Sequence, residues 1–123
     1  MEFDELSKRV IGCAIEVHKN LGPGLLESAY ERCLSNELTA KGIRHETQKE
    51  LPIDYKGVRI DSGYRIDLII ENSIIVELKS VDKILPIYEA QLLTYMKLAG
   101  IKIGLLINFD ETTLKEGIKR FVL

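Results

Sequence analysis

The stretch that decides the fold is Gly63–Ser80, GYRIDLIIENSIIVELKS. It contains two strand candidates, Tyr64–Ile70 and Ile74–Leu78, with Glu71-Asn72-Ser73 between them. Side chains alternate faces along a strand. Ile66, Leu68 and Ile70 therefore form one apolar set, and Ile74, Val76 and Leu78 another. Arg65, Asp67 and Glu71 hold the polar positions of the first run; Ser73, Glu77 and Lys79 hold those of the second, with Ile69 and Ile75 among them. The two apolar sets share a face only if the connecting loop has odd length. A two-residue loop at Asn72-Ser73 sets Asp67 among the apolar groups around Leu78. A three-residue loop sets Asp67 opposite Glu77, and Asn tolerates the left-handed backbone such a loop needs. The expectation is an odd loop or a bulge, with Asp67, Glu77 and Lys79 clustered on one face.

Carboxylates and a lysine inside apolar strands cost stability unless something uses them. Two carboxylates on one small patch repel, and one of them holds its proton unless a cation sits between them. Mg²⁺ answers that need, since it takes one or two carboxylates, a carbonyl, waters and phosphate oxygens. The main-chain carbonyl of Leu78, between Glu77 and Lys79, is placed to be the carbonyl ligand. Such a metal polarises a phosphoryl oxygen and acidifies a bound water. Lys79 would orient that water or stabilise the phosphorane charge. The plainer reading is a Glu–Lys pair on a solvated sheet face, with Asp67 as a cross-strand partner. The short D…ExK pattern leaves both readings open.

Outward from this stretch, apolar residues at Phe3, Leu6, Val10, Cys13, Ala14, Val17 and Leu21 have helical spacing, and Gly22-Pro23-Gly24 stops them. A second helix runs through Leu26, Tyr30, Cys33, Leu34 and Leu38 and ends near Gly42. His45–Tyr55 and Val58–Ile60 read as strands joined around Lys56-Gly57. Pro86 opens a helix that stops at Gly100. Ile103–Asn108 is an apolar strand, and Leu114–Leu123 is a short helix or turn with a last strand at Arg120–Leu123. Helices, a strand meander, a crossover helix and a further strand predict an α/β (α+β) domain with a mixed sheet. On the crossover helix, Gln91 and Tyr95 share a face, one turn beyond Tyr88. They could hold the attacking water or a phosphate. Equally, Tyr88, Leu92, Tyr95, Met96 and Ala99 could be a core stripe that Gln91 merely edges.

The 123 residues fit one domain, 1–123, and 46% hydrophobic residues suffice for its core. No run of about 18 apolar residues exists, so no membrane span is expected. The opening MEFDELSKRV does not resemble a signal peptide. Cys13 and Cys33 lie on helical core faces without metal-ligand spacing, so buried free thiols and a cytoplasmic setting are expected. Net charge is −2, from 17 basic and 19 acidic residues, which argues against a strong global attraction to nucleic acid but not against a local groove. There is no P-loop, dinucleotide-binding glycine pattern or Ser/His/Asp arrangement.

Gly24–Tyr30, GLLESAY, has the form GxxExxY. With Asp67, Glu77-Leu78-Lys79 and Gln91–Tyr95, the chain closely resembles the GxxExxY protein family of bacteria and archaea, grouped with the PD-(D/E)XK nuclease superfamily. The resemblance spans VHKNLGPGLLESAYE, GYRIDLII, IVELKSV, EAQLLTYMKL and GLLINF. It implies a restriction-endonuclease-like core, a mixed sheet flanked by helices with the site at one edge. Carried over, Asp67 and Glu77 are metal ligands and Lys79 the catalytic lysine. Glu27 resembles the extra acidic residue of many members, and a further metal ligand. Gln91 and Tyr95 resemble the additional helical motif. Arg65-Ile66-Asp67 lacks the proline of the PD motif. Glu27 also reads as a first-turn acid favoured by the helix dipole. Tyr30 also reads as packing, and His18 as a satisfied histidine.

The leading expectation is a nuclease dependent on Mg²⁺ or Mn²⁺ and acting on DNA. The alternative is a non-catalytic module that binds nucleic acid or a protein partner; hydrolysis of another phosphate ester is a third reading. Arg120–Leu123 could pair two copies into a homodimer or simply finish the sheet.

Overall fold

The computed structural model describes residues 4–123. Phe3, the first member of the N-terminal apolar stripe, lies outside them. Helix α1 is Glu5–Leu21 and α2 is Glu27–Ala40. Strands β1 His45–Glu50, β2 Ile53–Tyr55, β3 Val58–Ile60, β4 Arg65–Ile70 and β5 Ile74–Lys79 follow. Helix α3, Pro86–Ala99, crosses to β6, Ile103–Asn108; a single turn at Leu114–Gly117 leads into β7, Ile118–Val122. The main sheet has five strands in the order β1-β4-β5-β6-β7, and β2 and β3 form a separate ribbon. Among the described residues only β5 and β6 run parallel; their neighbours in the main sheet pair antiparallel, so the sheet is mixed. The expected α/β architecture, a mixed sheet flanked by helices, is the observed one.

Local chemistry sets the boundaries. Asp4 caps α1, accepting from the Ser7 N–H at 2.8 Å, and Gly22 ends it with φ 71°. Pro86 occupies the first turn of α3, and Gly100 closes it in the left-handed region at φ 69°. Lys56 and Gly57, at φ 51° and 81°, make the two-residue hairpin turn between β2 and β3. The loop from β4 to β5 has the odd length argued above, since Ile70 pairs with Ile74 across Glu71-Asn72-Ser73. Glu71 and Asn72 take φ 50° and 53° to make that turn.

The sheet buries both faces. Leu68, Ile70, Val76, Leu78, Leu105 and Ile107 pack with α1 and α2 residues such as Val10, Val17 and Leu34. On the other face, Ile69, Ile75 and Leu106 pack with Leu92, Tyr95 and Met96 of α3. Strand β5 is therefore covered on both sides.

Two strand assignments and one burial differ from expectation. His45–Tyr55 is not one strand: it breaks at Leu51-Pro52, where proline cannot donate to the ladder. The last strand starts at Ile118 rather than Arg120 and finishes the sheet against β6. Cys33 is half-buried, whereas Cys13 is buried; both thiols are free. Among the described residues, no helix is long and apolar enough to cross a membrane.

Candidate active site

The β4–β5 ladder runs from Ile70↔Ile74 to Leu68↔Val76. One step further stand Asp67 and Glu77, and there the carboxylates take over the bonding. The Asp67 N–H donates to Glu77 Oε2 at 2.9 Å. The Leu78 N–H donates to Asp67 Oδ2 at 2.9 Å. Each carboxylate is thus held by the backbone of the opposite strand, and the geometry follows from the three-residue loop.

Glu77 is buried, at 8% exposure. Burial first, and the Asp67 charge second, push its carboxyl up to about 9. A hydrogen bond shared with the Asp67 side chain acts the same way; the Asp67 N–H and, least, Lys79 act against it. At neutral pH Glu77 therefore keeps its proton.

Helix α3 faces this pair. Lys79 Nζ lies 4.5 Å from the centre of the Tyr88 ring. Gln91 Nε2 donates to the Tyr95 hydroxyl at 3.0 Å. Tyr95 is buried, and its hydroxyl is pushed up by burial, then by Glu77, Tyr64 and Asp67. Tyr95 therefore senses both carboxylates, and the hydrogen bond found for Gln91 runs to Tyr95. Tyr88 and Tyr95 also belong to the apolar layer, so the core-stripe reading and the site reading both describe this helix face.

Helix α2 supplies the other wall. A cavity of about 430 Å³ is lined by Glu27, Ser28, Glu31, Gln48, Asp67 and Leu78. Glu27, the first residue of α2, is exposed at the cavity's edge. Glu31, one turn further, is half-buried, and Gln48 Nε2 donates both to Glu31 Oε1 and, at 3.2 Å, to Asp67 Oδ1. Burial raises the Glu31 carboxyl; the Gln48 bond lowers it and the Asp67 charge raises it further. A larger cavity of about 620 Å³, lined by Arg9, Cys13, Glu16, Glu37 and Lys41 among others, shares no lining residue with this one.

The structure thus brings Asp67, Glu77, the Leu78 backbone, Lys79 and Tyr95 together, with Gln91 beside Tyr95 and Glu27 on the rim. Glu31 and Gln48 were not anticipated. Glu31 had a signal, because it lies four residues after Glu27 on the same helical face. Gln48 had none, because the partner of an edge strand is not written in its own sequence.

Tyr30, the last GxxExxY position, is engaged in packing and backbone bonds. The Tyr30 hydroxyl donates to the Gly22 carbonyl at 2.6 Å and accepts from the Leu25 N–H at 3.1 Å. Its ring stacks on Phe109 at 4.3 Å. His18 Nε2 is satisfied by the Glu111 carbonyl at 2.7 Å.

A profile of the PD-(D/E)XK nuclease superfamily matches residues 4–121. The chain belongs to that superfamily. No curated protein and no solved structure matches it significantly. The five-strand mixed sheet with flanking helices is consistent with the superfamily's restriction-endonuclease-like fold.

PD-(D/E)XK nucleases usually use divalent metals. The donors here fit such an ion. Asp67 and Glu77 offer hard oxygen donors, and a divalent cation between them would take the place of the proton that Glu77 keeps. Among the described residues, no group of three or more His, Cys, Asp or Glu side chains is arranged to hold a metal. Mg²⁺ needs only one or two carboxylates when a carbonyl and waters complete the shell.

Proposed function

We propose that this chain is a single-domain, GxxExxY-type nuclease that hydrolyses phosphodiester bonds in DNA with Mg²⁺ or Mn²⁺. Asp67, Glu77 and the Leu78 carbonyl would hold the ion, with Glu27 available from the cavity rim. The bound ion would polarise the phosphoryl oxygen and make a hydroxide-like nucleophile from water. Lys79, aimed across the Tyr88 ring, orients the attacking water or neutralises the charge that builds on phosphorus. Tyr95, backed by Gln91, offers a hydroxyl facing the carboxylates to a water or a phosphate oxygen. The free thiols of Cys13 and Cys33 support a cytoplasmic setting.

One observation carries this reading: buried Glu77 lies against half-buried Asp67 and the two are fixed by reciprocal backbone bonds, although the Glu77 carboxyl is pushed up to about 9 there. A solvated ion pair has no need of that arrangement. The test is metal-dependent cleavage of single- and double-stranded DNA and RNA by wild type beside Asp67→Asn and Lys79→Ala. Cleavage with Mg²⁺ or Mn²⁺ that falls by at least about a hundredfold in both variants is expected. Activity untouched in Asp67→Asn overturns the assignment. A binding module on the same fold is the second reading, favoured by the absence of any net positive charge. Metal-independent binding with no cleavage selects it.

A further inference from the structure

Strand β1 is an exposed edge strand with one irregular residue. Its register with β4 pairs Thr47 with Leu68 and Lys49 with Ile66, so Gln48 falls opposite Asp67. Gln48 has φ 51°. The other described non-glycine residues with positive φ, Lys56, Glu71 and Asn72, all sit in turns. A left-handed residue inside a strand is costly unless its surroundings over-determine it, and glutamine lacks the local bonding that helps Asn and Asp there.

The surroundings do over-determine it. The Gln48 carbonyl accepts from Arg65 Nη1 at 3.2 Å. Its side-chain Nε2 reaches two acids on two different elements, Glu31 on α2 and Asp67 on β4. Asp67 is then held at both oxygens, Oδ2 by the Leu78 N–H and Oδ1 by Gln48. With both oxygens bonded, the carboxylate cannot rotate without breaking a bond. The amide also places a donor between two acids that would otherwise repel.

We propose that Gln48 is a positioning residue: its amide sets the Asp67 carboxylate against Glu31 in the orientation the site uses, and its left-handed backbone is strain kept to aim that amide. This rests on the nuclease reading for what the orientation serves. The strain lies at the residue facing Asp67 and at no other strand position among the described non-glycine residues, which ties it to the site rather than to the turn chemistry of the chain.

Two variants separate backbone from amide. Gln48→Gly relieves the left-handed backbone and removes the amide; Gln48→Ala keeps the strain and removes the amide. Thermal unfolding should rank glycine above alanine. The reverse order overturns the strain. Both variants should lose about 10- to 100-fold in Mn²⁺ affinity or in kcat on DNA, with KM less affected, as outer partners of metal ligands do. The two losses should be equal, because the amide is absent from both. A merely structural residue would instead make activity follow unfolding temperature, with alanine worse. Wild-type Mn²⁺ affinity and kcat in Gln48→Gly overturn the proposal while leaving the nuclease reading intact. A wild type that neither binds Mn²⁺ nor cleaves overturns the nuclease reading, and the positioning role falls with it.

Discussion

Lys79 is held by an aromatic face rather than by an acid. Its ammonium lies over the Tyr88 ring at 4.5 Å and makes no close ion pair among the described residues. Had it paired tightly with Asp67 or Glu77, its charge would be committed to the ground state. Over a ring, it stays directed yet available to charge that develops during reaction. A contact of this kind is worth about 1.4 kcal/mol when partly desolvated, or about tenfold in rate. Tyr88→Leu should therefore lower kcat about tenfold, with KM little changed. Tyr88→Phe keeps the ring face and should retain wild-type kcat. Steady-state kinetics on the cleaved substrate decides it: equal kcat for the two variants would show that the ring does not aim the lysine. At the same scale, Glu31 shows that the motif names only part of the acidic wall. The GxxExxY spacing draws attention to Glu27, yet the half-buried acid bridged to Asp67 is its neighbour one turn on.

At the scale of elements, the site depends on how closely α3 approaches the sheet. Gly104 on β6 makes that approach feasible. A Cβ there would meet Met96 Sδ at 2.5 Å and Leu92 Cδ1 at 3.1 Å. Overpacking of this sort costs about 1–3 kcal/mol, and the flexible methionine keeps the cost near the lower end. Gly104→Ala should lower the urea midpoint accordingly and lift α3, which carries Tyr88, Gln91 and Tyr95, away from Lys79 and Glu77. An unchanged midpoint would mean that the contact yields without moving the helix. The elements themselves were largely legible. Gly22, Gly42, Pro86 and Gly100 punctuate the helices, and the alternation in Gly63–Ser80 contains its own register once loop parity is considered, except at Ile66, which packs with Ile69 and Ile75 rather than with Leu68 and Ile70. Asp67 opposite Glu77 follows from that parity alone. The polar strand β1, HETQKE, has no apolar period, so neither its break before Pro52 nor its pairing could be read. The left-handed backbone at Gln48 was invisible for the same reason: no glycine or asparagine marks it, and tertiary bonds impose it.

For the whole molecule, the acid pair with its buried member Glu77 makes stability depend on pH and on divalent metal. Glu77 has an ordinary value of 4.5 and is raised to about 9 in the fold. The folded chain therefore keeps a proton that the unfolded chain releases. Its contribution is fully present below about pH 4.5 and is lost as pH rises through about 9. Glu31 is raised as well and acts with the same sign. Asp4 is lowered, with burial opposing and the Ser7 and Arg120 bonds prevailing, so its effect lies at more acid pH. Tyr95 is raised from 10.0 and acts at more alkaline pH. Metal-free wild type should melt at progressively lower temperature from about pH 5 to pH 9. Glu77→Gln, which carries no proton to lose, should show a shallower fall and melt higher than wild type at pH 8 without metal. The difference between the two curves isolates Glu77 from every other titrating group. Adding Mg²⁺ should raise the wild-type melting temperature most at the alkaline end, where the cation competes with the fewest protons, and should leave Glu77→Gln nearly unmoved. Calorimetry at four pH values, each with EDTA or with millimolar Mg²⁺, reads both effects. Wild type and variant running parallel from pH 5 to pH 9 would mean that Glu77 is ionised in the metal-free fold. The repulsion with Asp67 would then be relieved by something other than a proton, and the pair would have no unmet need for a cation.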